Sequence, residues 1–174
     1  INKIGRKKMQ RYKHNVSLDE VDVFKALIIK QPFAQNFVTP CFKNDNGDVI
    51  GNKSIEIRNS NIKYRGDILI CSDNIPVFPN LESGVCLGLV TLYDVKKVSE
   101  LTEEEWDRTR IVKERRKEIK KGFAWLFKNP RRVIEFPIKS SRNFFTLYFS
   151  KGIIVEYPTV LKITPDDWRY INKI

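Results

Sequence analysis

Short apolar runs of strand length, separated by turn-forming residues, make up most of this chain. Such a series is typical of a barrel or a curled sheet, whereas a doubly wound fold needs strands that alternate with long helices. The length of 174 residues suits a single domain. We therefore predict an α+β fold, a curled β-barrel with two to three peripheral helices. The strand-like runs are 66–72, 84–98, 123–127, 131–139, 143–149 and 153–158.

Two local signals place the elements near the beginning of the chain. A Gln-Pro pair at 31–32 interrupts an apolar stretch, and proline favours the first turn of a helix. The pair predicts a strand near 26–30 followed by a short helix near 32–38. An Asn-Gly pair at 46–47 lies in a polar stretch and predicts a turn or a small hairpin.

One longer helix is predicted in the second half of the chain. Thr102 is followed three residues later by Glu105, which is the spacing of a capping box. The charges that follow are acidic at first and basic later, as the helix dipole favours, until Gly122. We expect a helix over 102–121 with few apolar residues, exposed to solvent and able to bind a protein partner.

Several classes of protein are excluded by composition. No apolar run approaches the roughly 18 residues of a membrane span, and the basic N-terminus lacks the apolar stretch of a signal peptide. We therefore expect a cytoplasmic protein that binds no membrane. Cys71 and Cys86 lie in apolar runs and are expected in the core. With Cys41 and His14 they form no ligand-spaced cluster, so we predict no metal and no cofactor.

The segment KSIEIRN combines an apolar pattern with charged residues. Ile55 and Ile57 alternate with polar neighbours, which predicts a strand over 53–58 that buries one face. Glu56 and Arg58 then share the opposite face. They either line a small polar site or pair only with neighbouring strands, and the residues alone leave both interpretations open.

Three segments occur in an order that is characteristic of one family: ALIIKQPFAQNFV, then GNKSIEIRN with YRGDILI, then SGVCLGLVTLYDV with FAWLFKNPRRVIEFPIK. Together they resemble the ASCH domain, a PUA-like module named for activating signal cointegrator homology. The most specific part is Gly51-x-Lys53-x-x-Glu56-x-Arg58. The resemblance covers about 24–150.

The resemblance implies a domain organisation and a site. Residues 1–23 would be a basic extension, 24–150 the ASCH domain, and 151–174 a C-terminal extension packed on it. Because the family places the first strand beside the motif, its end should join the motif in a pocket for a base or nucleotide. The predicted binding residues are Lys30, Gln31, Lys53, Glu56 and Arg58, with Lys128, Arg131 and Arg132 in a basic turn nearby.

The predicted function is nucleic-acid binding, with RNA or single-stranded DNA as the partner. The net charge of +11 favours a polyanion, and residues 1–14 hold six cations and no acid. This arm, the basic end of the predicted helix at 113–121, and the turn at 128–132 would together contact phosphates.

Two other functions stay open. Some small ASCH-like proteins are amidohydrolases that remove an acyl group from modified cytidine with a lysine, a threonine and a glutamate. Lys53 matches that lysine, but Glu56 stands at the threonine position. Lys53 and Glu56 are therefore the candidate catalytic residues, with Glu56 as a general base. The third hypothesis is a protein-interaction adaptor that binds its partner through the charged helix.

Overall fold

The computed structural model describes residues 21–139, 142–150 and 160–161. The predicted basic arm at 1–14 and the predicted strand at 153–158 lie outside them. Within the described residues the elements are β1 (Val21–Ile29), α1 (Phe33–Val38), β2 (Pro40–Lys43), β3 (Val49–Gly51), β4 (Ile55–Arg58), β5 (Gly66–Ser72), β6 (Val85–Lys97), a 3-10 turn (Val98–Glu100), α2 (Glu103–Arg108), α3 (Lys113–Arg116), β7 (Phe123–Pro137), β8 (Phe144–Ser150) and β9 (Val160–Leu161).

One mixed sheet organises the molecule. Its strands lie in the order β4-β7-β6-β5-β1-β8, and β9 pairs with β7 outside this path. β1 and β5 run parallel, whereas the other neighbours are antiparallel. β2 and β3 form a separate hairpin whose turn holds Gly47 at a φ of 80°, as the Asn-Gly pair predicted. The predicted α+β curled sheet is confirmed.

β6 and β7 form the longest ribbon of the sheet. They have 13 and 15 residues, and their pairing shifts register three times. Bulges of this kind bend strands and increase their twist. Gly88 lies at the first shift, where an added Cβ would collide with the carbonyl oxygen of Arg131 and the side chain of Val38.

Two apolar clusters fill the two faces of the sheet. The cluster on the face covered by α1 includes Leu27, Phe37 and Trp125. The cluster on the other face contains Cys71 and Cys86, which are fully buried as predicted. Burial raises the pKa of the Cys86 thiol well above its ordinary value. None of the helices in the described part of the chain has the length and hydropathy of a membrane span.

The predicted pair of strands at 123–127 and 131–139, joined by a basic turn, is wrong. Both belong to β7, which continues through the Asn-Pro pair. Asn129 takes a left-handed conformation with φ of 54°, which asparagine tolerates better than most residues. Its side-chain oxygen accepts a hydrogen bond from the Val49 amide at 3.3 Å, which fixes the irregularity against β3. Lys128 and Arg131 therefore lie within a strand.

The predicted helix over 102–121 is also wrong in its length. The capping box of Thr102 and Glu105 is present, but α2 ends at Arg108. Thr109 turns its hydroxyl back to the Trp106 carbonyl at 2.6 Å, and Arg110 adopts a left-handed φ of 62°. The chain resumes as the single turn of α3. Tertiary contacts of Thr109 and Arg110 thus override a sequence with good helix propensity.

Candidate functional site

β4 lies at one edge of the sheet and separates apolar from charged side chains, as its alternation predicts. Ile55 and Ile57 pack in a small cluster with Ala124. Glu56 is the cross-strand partner of Trp125, so the two residues share the other face. The guanidinium of Arg58 lies over the ring of Trp125, 5.7 Å from its centroid. The structure therefore places Glu56 and Arg58 on the same face of β4, beside the buried ring of Trp125.

Trp125 is a fixed base for this arrangement. Its indole nitrogen donates a hydrogen bond to the Ser60 carbonyl at 2.9 Å. Its ring meets Phe144 edge to face at 5.3 Å, a favourable geometry for an aromatic pair. Trp125 belongs to the core, since only 1% of it is exposed. The sequence did not indicate that the same ring supports Arg58.

Lys53 is buried beside β4 with its ammonium group fully bonded. It donates hydrogen bonds to the carbonyl oxygens of Ile55 at 2.9 Å and Thr109 at 2.5 Å. It also forms an ion pair with Glu56 Oε2 at 3.1 Å. An ammonium has three protons, and these three acceptors use them all. The rings of Phe33 and Phe37 lie 5.4 and 5.3 Å away and shield the charge from water.

The protonation of Lys53 is sensitive to this environment. Desolvation by burial lowers the pKa of Lys53 from its ordinary value. Glu56 opposes the shift through its charge and its hydrogen bond, while the positive charge of Arg110 adds to it. A buried lysine with a lowered pKa is a feature of functional sites and also of structural ion pairs.

Glu56 and Arg58 retain bonding capacity toward solvent. Glu56 is 22% exposed and gives one carboxylate oxygen to Lys53. Its other oxygen accepts no hydrogen bond from the described part of the chain. Arg58 is half-buried and, among the described residues, has its ring contact with Trp125 but no hydrogen bond or ion pair. One acceptor and several donors are therefore available on this face of β4.

The end of β1 lies elsewhere than the predicted pocket requires. The side chain of Gln31 is 2% exposed and donates to the Glu82 carbonyl at 2.8 Å. Lys30 lies 3.5 Å from Asp73 in an ion pair. Both side chains thus bind the loop between β5 and β6. Within the described residues, this part of the chain reaches Lys53 through Phe33 and Phe37 of α1 instead.

Each cation predicted in the basic turn has an acidic neighbour. Lys128 pairs with Asp48 at 3.1 Å, and Arg132 lies 3.6 Å from Glu135. Arg131 binds both oxygens of Asp67, and its hydrogen bonds hold the pKa of that carboxyl below its ordinary value. Their charge is locally neutralised, so the structure favours them less as phosphate contacts than the sequence did.

The chain after α2 encloses the ends of β4. Arg110 binds the backbone and side chain of Asn52, just before Lys53. Gly122 lies against the end of β4, where an added Cβ would come within 3.0 Å of the Arg58 carbonyl oxygen. The exposed cations between these two points have no ion-pair partner among the described residues. They are Lys113, Arg115, Lys117, Lys120 and Lys121, which we call the basic segment.

The comparisons with known proteins agree with this fold and motif. The sequence model of the ASCH domain matches residues 49–138, which is more than half of the chain. The fold is thus that of a PUA-like α+β domain, and the chain belongs to the ASCH domain family.

Two solved structures share the fold. The ASCH protein from Zymomonas mobilis aligns with a TM-score of 0.56 and 13% identity over 79% of this chain and 97% of that one. A point mutant of ZmASCH from the same organism gives 0.53 and 13% over 76% and 94%. No curated protein matches the chain.

Proposed function

We propose that this protein binds RNA or single-stranded DNA and contacts a base with Glu56 and Arg58. The observation that carries the proposal is the open bonding capacity of these two residues beside Trp125, together with the basic segment. The cations of this segment have no ion-pair partner among the described residues, and the segment ends next to Gly122, which lies against the Arg58 carbonyl. Neither feature alone is specific. Their proximity supplies both parts of nucleic-acid recognition, phosphate attraction and base contact.

The basic segment supports phosphate binding. Residues 113–121 contain six cations and two acids, and five of the cations are exposed. Arg116 is the exception, because it pairs with Asp107 at 2.9 Å and is only 14% exposed. Exposed cations displace counterions from a nucleic acid when they bind its phosphates, which gives affinity without sequence preference.

Glu56 and Arg58 support contact with a base edge. The free oxygen of Glu56 can accept from an exocyclic amine, and the guanidinium of Arg58 can donate to a ring nitrogen or carbonyl. Unstacked bases of single strands expose both kinds of group. Bases with an exocyclic amine, namely cytosine, adenine and guanine, would therefore be preferred over uracil.

The first test reverses charges in the basic segment. We expect Lys120→Glu with Lys121→Glu to weaken binding of a fluorescent single-stranded oligonucleotide and to reduce the salt slope of log affinity by about 1.4, or about 0.7 per lost phosphate contact. Anisotropy titrations of the full chain between low and physiological salt measure this slope.

The matched control for this test reverses two exposed lysines on other elements. Lys43 belongs to the β2–β3 hairpin and Lys139 follows β7, and their replacement by glutamate gives the same change in net charge. Equal losses in the two double variants would show that only net charge matters. Absence of binding by the parent protein at low salt would contradict the proposed function.

A second candidate function is an amidohydrolase that acts on an acylated cytidine. The observation that favours it is the direct contact of Glu56 with Lys53, whose pKa is lowered by burial. In such an enzyme Glu56 would act as a general base.

Two substitutions distinguish a site that only binds a base from the active site of a hydrolase. Replacing Arg58 by alanine should remove about 1–3 kcal/mol of specific binding with little change in salt slope, because Arg58 contacts an edge. If Glu56 is a general base, Glu56→Gln should abolish deacylation of an acylated cytidine. If the site only binds a nucleobase, the substitution should only change which nucleobase is preferred. Mutants that fold and bind every oligonucleotide like the parent would show that Glu56 and Arg58 have only a structural role.

A further inference from the structure

Three consecutive residues, the last residue of α2 and the two that follow it, lie across the polypeptide that leads into β4. The Ser54 amide donates to the Arg108 carbonyl at 3.1 Å, and Arg108 Nε donates to the Ser54 hydroxyl at 2.8 Å. The Lys53 ammonium donates to the Thr109 carbonyl. Arg110 donates to the carbonyl and the side-chain oxygen of Asn52. Residues 108, 109 and 110 thus bind 54, 53 and 52 in reverse order, and we call 108–110 the strap.

The strap is held from both sides. Thr109 is fully buried, and its hydroxyl also accepts from the Ile111 amide at 3.1 Å. Upstream, Glu105 joins α2 to β6 through an ion pair with Lys96 at 2.8 Å. Burial by itself raises the pKa of Glu105, but the hydrogen bonds from Lys96 and Thr102 outweigh it and lower this pKa overall. The strap is therefore a fixed part of the fold.

The strap completes the environment of Lys53. It supplies one of the three acceptors of the ammonium, and with Phe33 and Phe37 it keeps water away. The remaining bonds of Lys53 go to Ile55 and Glu56. If the strap were displaced, water would replace Thr109, and the ammonium would no longer be confined to one position. Glu56 would then lose the group that fixes its carboxylate.

We propose that Arg108 and Arg110 are positioning residues, which hold the strap over Lys53 and through Lys53 orient the carboxylate of Glu56 toward a bound base. The inference rests on the proposed function, since the orientation of Glu56 matters where it contacts a base. Arg108 and Arg110 themselves are occupied by Ser54 and Asn52, so they act through the strap.

The test compares Arg108→Ala/Arg110→Ala with a charge-matched control. The control replaces Arg115 and Lys117, two exposed cations without an ion-pair partner in the described residues, by alanine. Acetylation by an N-hydroxysuccinimide ester, read by peptide mass spectrometry, reports the exposure of the Lys53 amine without any nucleic acid. We expect roughly tenfold faster acetylation of Lys53 in the strap variant, because opening the strap removes its local protection. In the control, Lys53 should react at the parent rate.

The second readout is base discrimination. The ratio of affinities for an oligocytidine and an oligouridine of equal length should fall about fivefold or more in the strap variant. In the control, affinity for both should weaken equally and the ratio should stay constant. If the double variant does not fold, as judged by circular dichroism, Asn52→Ala removes the side-chain acceptor of Arg110, leaves only the backbone carbonyl, and receives the same two measurements.

The outcomes separate the strap from the function. If Lys53 is acetylated at the parent rate in a folded strap variant, the strap does not shield Lys53, whether or not nucleic acid binds. Fast acetylation with unchanged discrimination overturns the positioning role and leaves the proposed function intact. A parent protein that binds neither oligonucleotide overturns the proposed function and with it the positioning role, while acetylation still reports whether the strap shields Lys53.

Discussion

Replacing Trp125 by alanine is expected to lower the free energy of unfolding by about 3–5 kcal/mol, the usual cost of truncating a buried tryptophan. Trp125 joins the larger apolar cluster, contacts Phe144 edge to face and underlies Arg58. The substitution leaves a cavity at the join of β4 and β7, and it removes the support of the candidate site. Urea denaturation followed by circular dichroism measures the change.

The control for this prediction is Trp125→Phe. Phenylalanine keeps a ring opposite Phe144 but cannot donate the hydrogen bond to the Ser60 carbonyl. Because the ring is kept, Trp125→Phe should lower the free energy of unfolding less than Trp125→Ala does. A loss below about 1 kcal/mol for the alanine variant would contradict the buried position of the ring, since substitutions that small are typical of surface sites.

The second large effect is expected at Glu56. Replacing Glu56 by alanine should lower the free energy of unfolding by about 3 kcal/mol, because it leaves the buried ammonium of Lys53 without its counter-charge. Glu56→Gln keeps an oxygen that can accept from Lys53 and should cost less. The double variant Lys53→Met/Glu56→Ala removes both charges and should recover much of the loss. If the double variant is as unstable as Glu56→Ala, the loss comes from packing and not from the unpaired charge.

The pH dependence of the Glu56→Ala variant gives an independent measure. In the parent, burial already lowers the pKa of Lys53 in the folded state, and removal of Glu56 should lower it further. Between this lowered pKa and the ordinary lysine pKa, the unfolded chain binds more protons than the folded one. The free energy of unfolding should therefore rise with pH across that window. The rise should be steeper in the variant than in the parent.

Local signals in the sequence predicted much of the fold. The alternation around Ile55 set the two faces of β4, the capping box at Thr102 began α2, and the Asn-Gly pair closed the hairpin. Each depends on residues a few positions apart, so each could be identified without knowledge of the tertiary structure.

The remaining features depend on contacts between distant parts of the chain. The turn at Arg110 is stabilised by Asn52, 58 positions earlier, and its left-handed conformation has no local sequence signal. Lys53 gains its burial from α1 and from Thr109, which the motif itself does not indicate. The carboxylate partner of Arg131 lies 64 positions away. Sequence could therefore identify the charged residues of the site but not which of them were already neutralised.

The position of β1 has a practical consequence for anyone who divides this chain. The ASCH match begins at residue 49, yet β1 lies between β5 and β8 in the sheet, and α1 covers one of its faces. A fragment trimmed to 49–138 would lose both elements and β8. It would expose the hydrogen-bonding edge of β5, and strands of separate molecules pair readily along such an edge. Self-association of that fragment would reflect where it was cut, not a property of the family's fold.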